Sequence, residues 1–301
     1  MTAAAATRPR HLRVPAPSRA RLRLRRIGAR TTLYVLVVLF SVFCAAPFYI
    51  ALIMSFKQNQ DLYKVGNNPF TFNLNPTTVH WTYLFHQTAF DTFARNTVLV
   101  GVVVVAITLV LGLPAAYSLA RLRLRLSGVL GIAIFFVYLI PPSLLFISMS
   151  QVVAYLHLED SVWALVVVYP TITIPVSVWM LMGFFRSIPV DIEEQAMVDG
   201  YSRISAFGRV LLPLAYPGIV AVVVFAFTLS ASEFIYALAF VSSTSQKTIS
   251  IGVPTELVRG DVFYWQSLEA AAVVTAVPIA LVFNLFLNKF IAGFTLGAVK
   301  G

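Results

Sequence analysis

The sequence predicts an all-α membrane protein with six transmembrane helices, and three observations carry that prediction. The 301 residues are 59% hydrophobic and only 11% charged, where a soluble domain is about a quarter charged, and the mean hydropathy is +0.84. The apolar residues fall in runs long enough to cross about 30 Å of hydrocarbon, which takes roughly 20 helical residues. The basic residues crowd at certain loops and at the N-terminus. In lipid the backbone has no outside partner for its polar groups, so each run must be helical.

The spans are read, in order, at about 31–55, 96–120, 129–149, 163–184, 214–241 and 269–292. Residues 1–30, rich in Arg with scattered Ala and Pro, read as a disordered cytoplasmic arm. The formal charge of +10 reads as topogenic charge rather than as a nucleic-acid surface. The first span exceeds a secretory h-region and no small-residue cleavage site follows it, so it reads as a retained span. Arginines from Arg8 to Arg30, with Arg121, Arg123, Arg125, Arg186, Arg203, Arg209, Lys289 and Lys300, lie on one side. Only Lys57, Lys64, Arg95, Lys247 and Arg259 lie on the other. The positive-inside rule then gives N-in, C-in.

Between spans one and two, residues 57–95 form a long extracytoplasmic loop with Asn67, Asn68, Pro69, Pro76, Trp81, Tyr83 and Phe85. Its aromatics are either interface anchors or a surface for an extracytoplasmic partner. Asn96 reads as the N-cap of span two, and Arg121 closes it. Pro141 and Pro142 interrupt span three; Pro170 and Pro175 interrupt span four. Such kinks arise either from packing or where helices line a cavity. Asp160 or Ser161 is placed to cap span four. Glu233, in Ser230-Ala-Ser-Glu-Phe-Ile-Tyr236, is the one acid well inside a predicted span. It must be paired, protonated or facing water, unless it lies close enough to the outer interface to be solvated. Span six holds Pro278 and Asn284.

Much chemistry is excluded. No phosphate-cradling GxxxxGK[ST] loop, HExxH, CxxC or GxSxG occurs. The single Cys44 allows no intrachain disulfide, and the four histidines, His11, His80, His86 and His157, are scattered along the chain, so no metal site is expected. The scarcity of intramembrane charge argues against an ion-coupled secondary carrier or channel acting alone, which stands as the alternative reading.

The remaining stretch, residues 185–213, is a polar loop on the cytoplasmic side. Pro189 suits a first helical turn. Asp191, Glu193 and Glu194 put negative charge at a helix N-terminus. A helix from Pro189 to Asp199 would end at Gly200. A second, from Ser202 to Leu212, carries Ile204, Phe207 and Leu211 on one face, and Pro213 ends it. Physically this is either a projection offered to a soluble partner or a connector lying on the inner leaflet.

Here a resemblance enters. Glu194-Gln-Ala196, three residues, Gly200, nine residues and Val210-Leu-Leu-Pro213 are similar to the EAA loop of ABC importer permeases. Leu139-Ile-Pro-Pro142, Gly183-Phe-Phe-Arg-Ser-Ile-Pro189, Asp199-Gly200 and Gly297-Ala-Val-Lys-Gly301 resemble the carbohydrate-uptake permeases of the maltose-permease G-subunit type. The likeness covers roughly residues 31–301. It departs at Gln195 and Tyr201, where Ala is usual, and at Ala231-Ser232-Glu233-Phe234, where the family often has Trp-Asn-Asp/Glu-Phe.

The resemblance implies a type I ABC importer permease domain over 31–301, in the cytoplasmic membrane, working by alternating access. It implies that 185–213 is a coupling loop docking on a cytoplasmic ATPase through Glu193, Glu194, Gln195, Ala196, Asp199, Gly200, Tyr201, Phe207 and Pro213. The implied partners are a second permease subunit in a heterodimer, two ATPase subunits and an extracytoplasmic sugar-binding protein, with a sugar as cargo. The chain itself would be no enzyme and hold no cofactor; ATP and Mg would sit on the ATPases. A substrate pathway is expected near Glu233, Tyr236, Ser232, Pro141 and Pro175, with Tyr236 stacking on sugar.

Overall fold

The computed structural model describes residues 19–122 and 125–298. The chain divides into two units, residues 1–50 and 51–301. The first is dominated by helix α1, Arg19–Phe56, with exposed residues such as Leu36 and Phe40 along its apolar stretch. Residues 19–30 are therefore helical, where the sequence suggests a disordered arm. Arg, Leu and Ala are good helix formers and no proline stands between Arg19 and Arg30 to stop the helix. Residues 1–18 of that arm lie outside the described residues.

In the second unit, the 57–95 loop carries α2 (Asn59–Tyr63) and α3 (Val79–Gln87). A polar knot organises it. Lys57 Nζ lies 3.5 Å from Asp61 and donates to the Asn68 carbonyl at 2.7 Å. The Asp61 carboxylate also accepts from the side chains of Asn67 and Asn73 and from the Asn73 N–H. Burial pushes the Asp61 carboxyl up, but Asn73 and Lys57 together outweigh it and hold the group below its ordinary value. Trp81 stacks on Phe56 and Tyr83 on Tyr264, at 5.3 and 4.9 Å between ring centres, so both aromatics serve packing within the chain.

Helix α4 (Phe90–Arg121) has 32 residues, roughly 48 Å at 1.5 Å per residue. It starts six residues before Asn96, which is not its cap. Instead the buried Asn96 amide donates to the carbonyls of Ser245 and Lys247 at 2.9 and 3.0 Å. The third span is broken: α5 (Ser127–Tyr138) and α6 (Pro142–Tyr155) meet at 92°. Pro141 is extended (φ −58°, ψ 133°) and exposed at the break. Helices α7 (Val162–Val168) and α8 (Pro170–Ser187) continue through Tyr169 as one span. Pro170 begins α8, and Pro175 is buried within it. Ser161 is the cap, accepting from the Trp163 N–H at 3.3 Å.

The loop contains α9 (Val190–Val198), α10 (Arg203–Ala206), a π-turn at Phe207–Leu211 and the single turn α11 (Leu212–Leu214). Then come α12 (Tyr216–Ser232), α13 (Ile235–Phe240) and α14 (Ile249–Leu257). A two-residue hairpin, β1 (Val258–Arg259) with β2 (Val262–Phe263), interrupts the helical chain before α15 (Trp265–Ala298). Among the described residues four helices are long and apolar enough to cross a membrane, and six spans result if each bent pair counts as one.

Three apolar clusters pack the unit along its spans. One gathers Val104, Leu165, Tyr169, Tyr236 and Ile251. A second gathers Tyr117, Leu181, Phe185, Leu211 and Val222 at the loop end. A third holds Leu84, Phe90, Phe93, Leu257 and Ala271. Between α4 and α8 the buried hydroxyls of Thr108 and Thr173 pair at 2.7 Å, the kind of polar bond that joins helices inside a membrane.

Candidate functional site: the loop after the fourth span

Helix α9 is set off at both ends. Ile188 and Pro189 before it are extended, with ψ of 130° and 135°, and Pro189 is its N-cap rather than its first turn. At the other end Gly200 has φ +94°. Its N–H donates to the Met197 carbonyl at 3.2 Å, and the Tyr201 N–H reaches back to Ala196 at 3.1 Å. These are the two bonds of a Schellman cap, in which a left-handed residue ends the helix and satisfies its last carbonyls. Glycine fits that φ without the Cβ clash.

The second loop helix differs from its expected form. Ser202 does cap it, accepting from the Ser205 N–H at 3.3 Å. After one α-turn the ladder widens into the π-turn, and Pro213 lies inside α11 rather than ending the helix. The stop comes at Ala215 (φ −82°, ψ 0°), where the chain bends by 76° into α12. Pro213 and Pro217 each begin a turn, which their missing N–H permits. Of the expected apolar face, Leu211 is buried and Phe207 packs inward, whereas Ile204 is 84% exposed.

The loop thus sorts its residues onto two faces. Glu194, Gln195, Val198, Asp199, Gly200, Tyr201 and Ile204 are exposed, with Val198 at 87%. Ala196 and Glu193 are buried, at 7% and 4%. Expected on the docking surface, these two instead face their own chain: one α-turn is 3.6 residues, so positions 193 and 196 share a face opposite 194, 195 and 198.

Glu193 meets the end of α4. The Tyr117 hydroxyl donates to its Oε1, and Arg121 Nε stands 3.7 Å from Oε2, an ion pair rather than a hydrogen bond. Arg121 Nη2 also donates to the Ile188 carbonyl at 2.7 Å. Arg121 reads in the sequence as topogenic charge that closes span two, and Tyr117 draws no attention at all. No local spacing relates them to Glu193, more than 70 positions away.

The second candidate group lies along the fifth span. Predicted as one helix over 214–241, it breaks after Ser232. Glu233 and Phe234 step out of the ladder and α13 restarts. The Glu233 carboxylate accepts from the N–H groups of Ile235, Tyr236 and Ala237 at 2.9 to 3.2 Å. It is therefore paired, to backbone donors that a helix start leaves free. Tyr236 is fully buried and stacked on Phe240 at 5.8 Å, so in this conformation its ring offers no face to a sugar. Ser232 is exposed, but its hydroxyl turns back to the Thr228 carbonyl at 2.8 Å. Glu233, Ser232 and Tyr236 adjoin one another; Pro141 and Pro175 belong to other elements. A cavity of about 650 Å³ between α4, α12 and α15 is lined by apolar residues such as Val102, Val220, Phe227 and Ile279, which suit neither a hydroxyl-rich ligand nor an ion.

At the opposite end of the fourth span from α9, Asp160 ties the α6–α7 turn to the chain after α13. Its carboxylate accepts from the Ser243 hydroxyl and from the N–H groups of Ser242 and Ser243, and its own N–H donates to the Phe240 carbonyl at 3.1 Å. Those bonds, the Ser243 hydroxyl first, hold the carboxyl down at about 2.

Comparison with known proteins gives consistent matches. Residues 108–295 match the family model described as binding-protein-dependent transport system inner membrane component. The inner membrane ABC transporter permease protein YcjP of Escherichia coli is 30% identical, covering 92% of this chain and 99% of that protein. The sulfoquinovosyl glycerol transport system permease protein SmoH of Agrobacterium fabrum is 34% identical over 75% of this chain and 79% of its own length. The trehalose/maltose transport system permease protein MalG of Thermococcus litoralis is 26% identical over 90% and 97%. One solved chain, from a bacterial ABC transporter involved in the import of the acidic polysaccharide alginate, superposes with a TM-score of 0.73. It is 19% identical, with 92% of this chain and all of that one covered, a likeness of fold.

Proposed function

The chain belongs to the family of binding-protein-dependent transport system inner membrane components, and from that membership we propose that it is the sugar-translocating permease subunit of an ATP-driven importer whose ATPase docks on the exposed face of α9. The family is the multi-pass membrane component of such importers, distinct from the ATPase, and works with an ATPase and a binding protein. In the finer assembly proposed, a second permease of the other sequence type completes a heterodimer, two ATPase subunits bind beneath it and an extracytoplasmic sugar-binding protein delivers cargo. The curated relatives named above for trehalose, maltose and sulfoquinovosyl glycerol support a glycoside as that cargo.

The observation that carries the docking site is the two-faced loop. Glu194 and Asp199 offer charge outward, and Val198, Tyr201 and Ile204 offer apolar surface beside them. Exposed apolar side chains rimmed by charge on a rigid projection are what a protein partner covers. Cytoplasmic ATPases closing on ATP would move α9, the spans would open outward to receive sugar, and hydrolysis would reset them. Glu233 and Ser232 remain the proposed neighbours of the sugar path, with Pro141 at the break of the third span and Pro175 within the fourth proposed to lie along it.

The test is ATP-driven uptake of labelled trehalose by the reconstituted importer. Gly200→Pro removes a donor of the Schellman cap and imposes φ near −65° where +94° is needed. Glu194→Arg reverses charge on the exposed face. Both are expected to abolish uptake and release the ATPase subunits. Full ATP-coupled uptake in both variants would remove α9 as the docking element. Uptake driven by an ion gradient without ATP would replace the reading altogether.

A further inference from the structure

A push on α9 has no continuous helix through which to travel. Both of its connections are non-helical: the extended Ile188–Pro189 link and the left-handed turn at Gly200. Yet α9 is not loosely hung. Tyr117 and Arg121, four residues apart and so on one face of the last turns of α4, both reach Glu193. Arg121 also grips the Ile188 carbonyl at 2.7 Å, so one guanidinium holds both the helix and the link that precedes it.

All three side chains are buried: Tyr117 is 8% exposed and Glu193 4%, and the Arg121 side chain 3%. The phenol ring is wedged between Phe185 at the end of α8 and Phe207 of the π-turn, at 6.4 and 4.5 Å between ring centres. It cannot swing without displacing both. A carboxylate in such surroundings cannot shed its donors cheaply, because separation would leave an unpaired buried charge. The contact would therefore persist while α9 moves, and α4, a helix of 32 residues, would move with it.

We infer that Glu193 is the positioning residue of the transport cycle, a buried carboxylate through which Tyr117 and Arg121 lock α9 to α4, so that displacement of α9 reaches the span instead of being absorbed in the Ile188–Pro189 link. This rests on the reading of α9 as the ATPase-docking helix. Its neighbour Glu194 faces the partner; Glu193 faces inward and acts within the chain.

The experiment uses the complete importer in nanodiscs. Spin labels are attached at Val110→Cys, exposed on α4, and at Asp191→Cys, exposed on α9, in a Cys44→Ser background. Electron–electron resonance reads the α4–α9 distance without nucleotide and after vanadate trapping with ATP and Mg. The otherwise unmutated complex is expected to give one narrow distance in both states. Tyr117→Phe, which keeps the ring and removes only the hydroxyl, and Glu193→Gln are expected to give a broadened distance that shifts on trapping, while the ATPase subunits still co-purify and hydrolyse ATP. A merely structural residue would lower stability without making this distance depend on nucleotide. Variants with a narrow, nucleotide-independent distance overturn the inference, as does an unmutated complex in which the distance already shifts. Loss of the ATPase subunits in the variants also overturns it, by moving Glu193 to the docking surface. The two failures read differently. Failure of the docking reading shows in the unmutated chain, as the absence of any co-purified ATP-hydrolysing subunit, whereas failure of the Glu193 inference shows in the variants.

Discussion

Asp160 sits at φ 54°, a left-handed backbone that Asp tolerates better than most residues, and its carboxylate gathers three donors from Ser242 and Ser243. Two substitutions separate these features. Asp160→Gly relieves the backbone and loses only the bonds. Asp160→Ala loses the bonds and keeps a Cβ in the left-handed region, which costs about 1–2 kcal/mol more. Thermal unfolding of the purified protein should rank wild type above Gly and Gly above Ala. The folded carboxyl titrates at about 2, below the ordinary aspartate value of about 3.9. Its contribution is therefore complete above about pH 4 and is lost as the pH falls toward 2; in Asp160→Gly that part of the acid dependence should vanish. Asp160 was legible in the sequence as a turn residue near span four. Its partners were not, because they lie more than 80 positions downstream.

At the scale of elements, helix type and order were legible, and helix breaks less so. A run such as Tyr216–Phe240 is apolar apart from a few polar residues, and hydropathy does not mark which of them stops the ladder. The stop at Ser232 depends on Glu233 turning its carboxylate onto the N–H groups of the next helix. In the same way Pro141 announces a bend, but its 92° is set by what α5 and α6 pack against. Close helix approaches are equally hidden. Gly252 of α14 lies against Phe93 of α4, where an added Cβ would stand 2.5 Å from the ring. Phe93 is fully buried and has nowhere to go. Gly252→Ala gains about 1 kcal/mol of helix propensity but should lose about 1–3 kcal/mol to overpacking, a net lowering of the melting temperature. The double variant with Phe93→Leu should recover part of that loss, since Leu vacates the plane of the ring.

For the whole molecule, the charge asymmetry argues that the loop of α9 is cytoplasmic and the 57–95 loop extracytoplasmic. Val65 is 99% exposed in the latter and Val198 87% exposed in the former. In a Cys44→Ser background, a membrane-impermeant maleimide should label Val65→Cys from outside intact cells and leave Val198→Cys untouched. Inverted vesicles stripped of the ATPase subunits should give the reverse. Labelling of both from one side would undo the N-in, C-in arrangement and, with it, the cytoplasmic placing of the docking face.

The sequence by itself determined the class of molecule, the number and order of its apolar segments, the position of the loop and the glycine that ends its first helix. Each of those follows from local composition, from spacing or from the φ that only glycine accepts readily. Tertiary structure alone decided which face of α9 is free. It turned Glu193 and Ala196 inward and left Glu194 and Val198 outward, closed Tyr236 into the core, and joined Tyr117 and Arg121 to a carboxylate on a distant segment. The physical reason is that a helix repeats every 3.6 residues whatever its surroundings, whereas the face it buries is chosen by the elements that pack against it.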